Sequence, residues 1–260
     1  MTQFMDAVSM ARARLVGERD LFSISELYHE NSRIIAAAPG SAQSRESILI
    51  APAGFKRYVH AERTAAMPSR TDLSVPLSDA ILQRRSCRVY SDESLRAAVV
   101  ADLAFYAIGI SERGARRCLP SAGGLYPLEL YIVSLNVDGL VPAVYHYDVR
   151  AHGLTEVRRE NCRPALAAAM FIETAVETAA AVLILSAVFG RSKIKYGERA
   201  YRFALIEAGH AMQNLCLAAT ALGVGACPVG GFVDDAINDL IDVDGVEEAA
   251  LYAATVGVPG

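Results

Sequence analysis

The sequence predicts an α+β fold. Aliphatic and β-branched runs separated along the chain read as strands, the segment "AVYHYDV" followed by "RAHG" and "LTEVR" reads as a hairpin, and an apolar helix pattern spans 199–222. Helices mixed with separated strands and hairpins place the chain in the α+β class.

The elements follow in order. A short helix is expected around 3–15, and "LYHENSRI" (27–34) is a compact polar and aromatic stretch. The segment 38–72 holds several Gly, Pro and Ser without a clear period and reads as an extended arm. A core begins near Pro76, so the chain divides into an N-terminal arm with short helices (1–75) and one larger domain (76–260). "LSDAILQRR" (77–85) reads as a short helix with Ser78 at the N-cap, and 91–109 as a helix capped near Ser91 or Asp92 and stopped by Gly109. A strand is expected at 128–137, the hairpin at 143–149 and after, and a helix at 164–180 with Pro164 in its first turn. A buried strand (180–189), the long helix ending at Gly223, a short helix (234–241) and a last strand (249–258) complete the order. The long helix places Ala204, Ala208, Ala211, Leu215, Ala218 and Leu222 on one broad face, widened by Phe203, Ile206, Leu217 and Ala221. Such a helix belongs at the centre of a core or at a subunit interface. Glu207, His210, Gln213 and Asn214 interrupt it and are expected to satisfy each other or nearby backbone.

Composition narrows the function. In 260 residues, 53% are hydrophobic and 21% charged, enough for a full core. A net charge of -4 gives no reason to expect nucleic acid or an acidic membrane surface as partner. No apolar run is long enough to span a bilayer, and the N-terminus lacks a signal core. Five scattered cysteines without C-x-x-C spacing read as reduced, cytosolic thiols, and scattered histidines argue against a metal enzyme.

Three stretches bear chemistry. "RRSCRVY" (84–90) packs Arg84, Arg85, Ser86 and Arg88 together, either a phosphate cradle of guanidinium forks and a hydroxyl or a solvated basic patch. "PSAGGLYPLELYIV" (120–133) removes side chains at Gly123 and Gly124 just before a strand, and "GVGACPVGGF" (223–232) has four glycines after the long helix. Each glycine stretch is either a chain reversal or a place where backbone approaches a ligand. None matches a dinucleotide fingerprint or a P-loop. Together, an arginine cluster for phosphate and two glycine-rich stretches for a flat ring suit a mononucleotide flavin.

These stretches, with "KYGERAYRFALIEAGHAMQNLCLAATALGVGACPVGGF" and the terminal "ATVGVPG", resemble the nitroreductase-like flavoproteins. "LYHENS" and "PSAGGLYPLELY" are similar to the SagB-type dehydrogenases, which include azoline oxidases of thiazole/oxazole-modified peptide pathways and oxidase domains of nonribosomal peptide synthetases. The resemblance covers about 27–260. It implies a nitroreductase-like α+β fold, an antiparallel-rich mixed sheet surrounded by helices, with the long central helix at a homodimer interface and FMN bound by both subunits. It implies that Arg84, Arg85, Ser86 and Arg88 hold the phosphate, ribityl chain and pyrimidine edge. Pro120, Ser121, Ala122, Gly123 and Gly124 of the other subunit would line the ring, with Val229, Gly230 and Gly231 on its N5 side. The catalytic Lys-Tyr pair of the azoline oxidases falls on Lys195 and Tyr196. Relatives often carry a basic residue after the terminal "VG"; here Val258, Pro259 and Gly260 follow. About 75 residues precede the core, too few for a large peptide-recognition region, so a cyclase, a peptide synthetase or another partner is expected to deliver a peptide or carrier-bound azoline.

Lysine usage fits that reading. Of 25 basic residues only Lys56, Lys193 and Lys195 are lysines. Oxidising an azoline to an azole removes a proton from Cα and a hydride from Cβ, the hydride going to the flavin. The proton needs a base, a role open to lysine or tyrosine and closed to arginine. Arg191 and Arg199, close in sequence, would favour a neutral Lys195 amine. Lys193 reads as a solvated neighbour. The competing readings are an NAD(P)H-dependent nitro or quinone reductase of the same fold and a non-catalytic scaffold, the latter opposed by the intact arginine cluster and glycine stretches.

Overall fold

The computed structural model describes residues 24–32, 54–58, 63–111 and 116–260; the helix expected at 3–15 lies outside them. In chain order the elements are α1 (Ile24–Asn31), β1 (Thr64–Ala66), α2 (Leu77–Gln83), β2 (Leu95–Arg96), α3 (Ala97–Ile108), β3 (Leu128–Ser134), β4 (Val137–Asp138), β5 (Ala143–Asp148) and β6 (Gly153–Arg158). There follow α4 (Arg163–Ala169), α5 (Glu173–Thr178), β7 (Ala181–Val188), α6 (Gly190–Tyr196), α7 (Arg199–Ala221), β8 (Gly225–Val229), α8 (Asp234–Leu240) and β9 (Glu248–Gly257).

Seven strands form one sheet in the order β1-β6-β5-β3-β7-β9-β8. Every ladder in it is antiparallel, from Thr64 opposite Thr155 at one edge to Gly225 opposite Gly257 at the other. A parallel bridge between Ser86 and Ala226 extends the second edge. The central strands β3 and β7 are buried on both faces, as their near-continuous aliphatic runs require. Leu128, Leu130, Ile132, Leu183 and Leu185 pack with residues of α3 and α7 on one face. Tyr131, Val133, Val182 and Ile184 pack with α4, α5 and α8 on the other. The fold is thus a sheet between two helical layers.

Helix α7 sits where its pattern places it. Ala204, Ala208, Ala211, Leu215 and Ala218 are buried against the sheet, and Leu222, its C-cap, packs partly buried against the same core. Gly223 ends the helix with φ +71°, the left-handed conformation that glycine adopts without strain. The opposite side is not covered: Leu205 and Ile206 are exposed, as are Leu77, Ile81 and Leu82 on α2. Helix α1 closes on the start of α7, with Tyr28 edge-on to Tyr201 at 5.6 Å. Arg199 Nη1 donates to the Ser32 carbonyl at 2.7 Å, and Arg202 donates to the His29 carbonyl at 3.4 Å and to Ser32 Oγ. These cations satisfy carbonyls at the helix C-terminus. The segment "LYHENS" is therefore a helix end held by arginines.

Several expected boundaries move. Helix α2 begins after Pro76 with no side-chain cap, and Ser78 instead donates to Asp79. Helix α3 starts at Ala97, because Leu95 and Arg96 pair in parallel with β4 and hold the preceding residues extended. The helix expected at 164–180 is two, broken where Met170 bridges to Phe232 and Phe171 N–H donates to the Gly231 carbonyl. The arm expected over 38–72 supplies an edge strand, β1, to the sheet.

Ala211 is fully buried between α7 and the sheet. Ala211→Leu should destabilise the protein by about 1–3 kcal/mol through overpacking, read as a lowered urea midpoint at unchanged slope.

Candidate active site

The site is organised around a carboxylate inside the sheet. Glu129, the second residue of β3, is 1% exposed. A buried carboxylate must find charge and hydrogen-bond partners, and Glu129 draws them from three segments. Arg191 of α6 meets Oε1 at 2.6 Å, the His146 ring of β5 meets Oε2 at 2.8 Å, and Lys56 N–H donates to Oε1 at 3.2 Å. Burial pushes the Glu129 pKa up, but the His146 hydrogen bond and the Arg191 charge outweigh it and hold the value at about 2. Lys56 links this centre to a second one: its Nζ donates to Tyr131 Oη at 2.6 Å and to Glu248 Oε2 at 2.7 Å. Tyr131 and Ser186 each donate to Glu248 Oε1, at 2.9 and 2.6 Å.

Arg191 carries this order to the glycine loop. Its Nη1 also donates to the Tyr126 carbonyl at 3.2 Å. Tyr126 has φ +47°, a strained conformation for a bulky residue. It is held on several sides: its N–H donates to Ser121 Oγ at 2.9 Å, its hydroxyl accepts from Arg117 N–H at 3.3 Å, and the Arg117 guanidinium lies 5.3 Å from its ring centre. The loop before it turns at Gly123, φ +65°. A Cβ on Gly123 would lie 2.7 Å from Tyr196 Oη and 2.9 Å from Lys195 Nζ. The glycine loop and the Lys-Tyr pair, about seventy positions apart in sequence, therefore meet, and only glycine fits where they do. Tyr196 is further fixed edge-on against Phe203 of α7 at 5.0 Å.

The surroundings of Lys195 differ from the expectation. Its side chain is exposed, and it lies in the last turn of α6, just ahead of α7. Neighbouring Arg191 turns into the core onto Glu129, and Arg199 reaches the Ser32 carbonyl. Lys193 is exposed, as expected.

The arginine stretch joins the other glycine stretch. Residues 225–229, expected as a loop, form β8, and Cys87 N–H donates to the Ala226 carbonyl at 3.0 Å beside the Ser86 bridge. Gly225 permits that docking, since a Cβ there would lie 2.8 Å from Cys87 Sγ. This glycine serves a close approach of the chain to itself. Tyr90, whose hydroxyl donates to the Cys87 carbonyl at 2.7 Å, locks the turn. Arg85 and Arg88 are exposed and Arg84 half-buried. Among the described residues no carboxylate forms an ion pair with any of the three. Val229 is buried, whereas Gly230 is exposed, with nothing within 4 Å of an added Cβ.

The two halves do not meet within one chain. Ala226, beside Ser86, aligns through Val256 and Ala181 with Ser134 at the end of β3. The glycine loop precedes Leu128 at the beginning of β3, about 20 Å away along the strand direction at some 3.3 Å per residue. One chain thus presents, among the described residues, three guanidinium groups without ion-pair partners at one corner of the sheet, and a glycine loop with a lysine and a tyrosine at another. The frame behind the second corner, Lys56, Arg117, Glu129, His146, Arg191 and Glu248, stands in no sequence motif. The available signal was a charged or polar residue inside an otherwise apolar strand, as in "LELYIV" and "AVYHYD". Among the described residues no cluster of His, Cys, Asp or Glu is arranged to hold a metal, and no helix is long and apolar enough to cross a membrane.

The nitroreductase family model matches residues 81–258, and the chain belongs to that family. It is 33% identical over 169 residues to MJ1384 of Methanocaldococcus jannaschii, a protein named as a nitroreductase, covering 65% of this chain and 85% of that one. It is 29% identical over 146 residues to the trifolitoxin-processing protein TfxB of Rhizobium leguminosarum bv. trifolii, and 28% over 134 residues to the microcin B17-processing protein McbC of Escherichia coli. Those matches cover 54% and 50% of this chain but only 39% and 49% of TfxB and McbC. Among solved structures, a nitroreductase-like protein from Anabaena variabilis superposes with TM-score 0.63 at 29% identity, covering 71% of this chain and 38% of that one. The Escherichia coli microcin synthetase McbBCD complex with truncated pro-MccB17 bound matches with TM-score 0.60 at 19% identity, over 100% of this chain and 94% of the matched chain.

Two outcomes test the frame. Arg191→Met leaves the Glu129 charge buried without its guanidinium partner and should cost about 3–5 kcal/mol in urea unfolding. Glu129 has a folded pKa below its unfolded value, so its stabilisation is present above pH 4.5 and is lost as pH falls towards 2. Glu129→Gln should therefore remove part of the acid sensitivity of wild-type unfolding in that window, on the order of 3 kcal/mol.

Proposed function

We propose that the protein is an FMN-dependent dehydrogenase that oxidises azoline rings to thiazoles or oxazoles in a peptide natural product. The observation that carries the reading is the meeting of Gly123 with Lys195 Nζ and Tyr196 Oη. It sets two groups able to exchange a proton at the edge of a loop whose backbone is bare of side chains. The similarity to TfxB and McbC, both named for processing a peptide toxin, supports a peptide-derived substrate.

The chain's residues suit FMN. Three guanidinium groups without carboxylate partners, beside the Ser86 hydroxyl, match a phosphate and its ribityl chain. The family match agrees, and a solved family relative from Desulfovibrio desulfuricans has FMN bound. In this reading Arg84, Arg85, Ser86 and Arg88 hold the phosphate side, with Val229, Gly230 and Gly231 along the ring. Pro120, Ser121, Ala122, Gly123 and Gly124 of a second copy cover the ring, because the two halves lie too far apart in one chain. The exposed apolar residues of α2 and α7 provide a surface on which two copies pack. Residues 1–75 form the arm and 76–260 the FMN domain, and a cyclase or synthetase partner presents the substrate.

FMN, when bound, supplies the hydride acceptor. One of Lys195 Nζ and Tyr196 Oη accepts the single proton released from the ring carbon while the other holds it in place, and the second copy buries the otherwise exposed Lys195, excluding water from that transfer. Gly123 leaves room for both groups against the loop.

A second reading, an NAD(P)H-dependent nitro or quinone reductase, is favoured by the similarity to MJ1384. Variants separate the two. Lys195→Ala and Tyr196→Phe should retain FMN and lose azole formation by at least about a hundredfold, within the range for a positioned acid or base. Full azole-forming activity in both would remove the assigned roles. Gly123→Ala, strained by its positive φ and crowding both groups, should lower kcat at least about tenfold while leaving the FMN visible spectrum present.

A further inference from the structure

Arg117 is a buried cation that the stability of the fold does not explain. It is 5% exposed, and among the described residues no carboxylate forms an ion pair with it. Its Nε and Nη2 are buried with no hydrogen-bond acceptor among the described residues. Taking a guanidinium out of water without a full set of acceptors is costly. Burial is accordingly the largest influence on it and lowers its pKa, with Glu129 pulling the other way from outside ion-pair distance. A group whose burial works against stability marks a place where position matters more.

What Arg117 holds is the base of the glycine loop. Its own backbone is anchored. Arg117 bridges to Ile110 just past α3, and the next residue, Cys118, donates its N–H to the Gly109 carbonyl at 2.8 Å. Asn214 of α7 donates to the Cys118 carbonyl at 3.0 Å. From that anchor Arg117 grips the far end of the loop in three ways. Its N–H donates to Tyr126 Oη at 3.3 Å, its guanidinium lies 5.3 Å from the centre of the Tyr126 ring, and its Nη1 donates to the Leu128 carbonyl at 2.7 Å. The Phe55 ring, 5.6 Å away, meets the same guanidinium. Between entry and exit lie residues 118–125, with Gly123 at its contact with Lys195 and Tyr196.

We propose that Arg117 is a positioning residue that clamps the two ends of the 118–125 loop, holding Gly123 against Lys195 and Tyr196 and the loop over the flavin ring. The inference rests on the reading of residues 120–124 as a ring-covering loop. Its role is separate from that of Arg191, which docks the loop onto α6 through the Tyr126 carbonyl. Arg117 closes the loop on itself. A hydrogen bond to a carbonyl and a cation over a ring both fix direction, so an apolar side chain of similar length fills the space without fixing the loop.

Arg117→Met separates this role from a structural one. It leaves no carboxylate without an ion-pair partner, whereas Arg191→Met strands Glu129. The urea midpoint of the FMN-saturated Arg117→Met protein should therefore stay much closer to wild type than that of Arg191→Met. The loop should loosen all the same. FMN release, followed by rapid filtration after dilution, should be at least about fivefold faster, and kcat for azole formation should fall about tenfold or more with KM changed less. Arg117→Lys keeps a cation for the Leu128 carbonyl and the Tyr126 ring and should recover part of both losses. Tyr126→Leu removes, at a half-buried position, the ring and hydroxyl that Arg117 grips. It should speed FMN release to a similar extent, with the double variant little worse than either single one, and it keeps the test in force if Arg117→Met does not fold. FMN release at the wild-type rate from folded Arg117→Met, or from Tyr126→Leu, would overturn the inference. So would a urea midpoint as low as that of Arg191→Met, which would make Arg117 a residue of the fold only. In either case FMN binding by wild type leaves the underlying reading standing. If wild type binds no FMN, that reading falls and this inference with it.

Discussion

Burying the Glu129 carboxylate is the constraint on which the rest of the site depends. A charge at that position inside a central strand is tolerated only if cations and N–H groups converge on it from elsewhere. They arrive from α6, from β5 and from the segment before β1. The same Arg191 Nη1 that meets Glu129 also donates to the Tyr126 carbonyl. One guanidinium thus fixes the helix that carries Lys195 and Tyr196 to the loop that carries Gly123. The contact at Gly123 follows from this pair, and the strain at Tyr126 is sustained by it.

The three lysines now separate by environment. Lys56 is an internal strut between Tyr131 and Glu248. Lys193 is exposed on α6. Lys195 ends the same helix with its ammonium at Gly123. Sparse lysine in an arginine-rich chain is thereby explained at two of three positions, one through packing and one through the chemistry proposed for it. In the proposed function, the exposure of Lys195 in a single chain and the distance between the two halves of the site both call for a second copy.

Much of the fold was legible because its signals are local. Periodicity placed α7 to within a residue, alternation and turn residues gave the β5–β6 hairpin, and aliphatic density gave β3, β7 and β9. The misreadings have physical causes. Strand β8 hides among glycines that read as a loop, because its small residues make room for Cys87 and the turn behind it. The 164–180 segment has unbroken helical propensity, yet pairing of Met170 and Phe171 with residues beside Phe232 interrupts it, a tertiary override of local preference. The candidate site was half legible. Its arginines, glycines and Lys-Tyr pair stand in compact motifs. The ionic frame is drawn from single residues spread from Lys56 to Glu248, and only the fold brings them together.

The most direct measurement is anaerobic. Purified FMN-loaded protein is mixed in parallel with a thiazoline-containing peptide and with excess NADPH, and the visible flavin band is followed. The account predicts that the peptide bleaches the band with one thiazole formed per flavin, and that NADPH leaves it unchanged. Rapid bleaching by NADPH with none by the peptide would contradict the account and give the lead to the reductase reading.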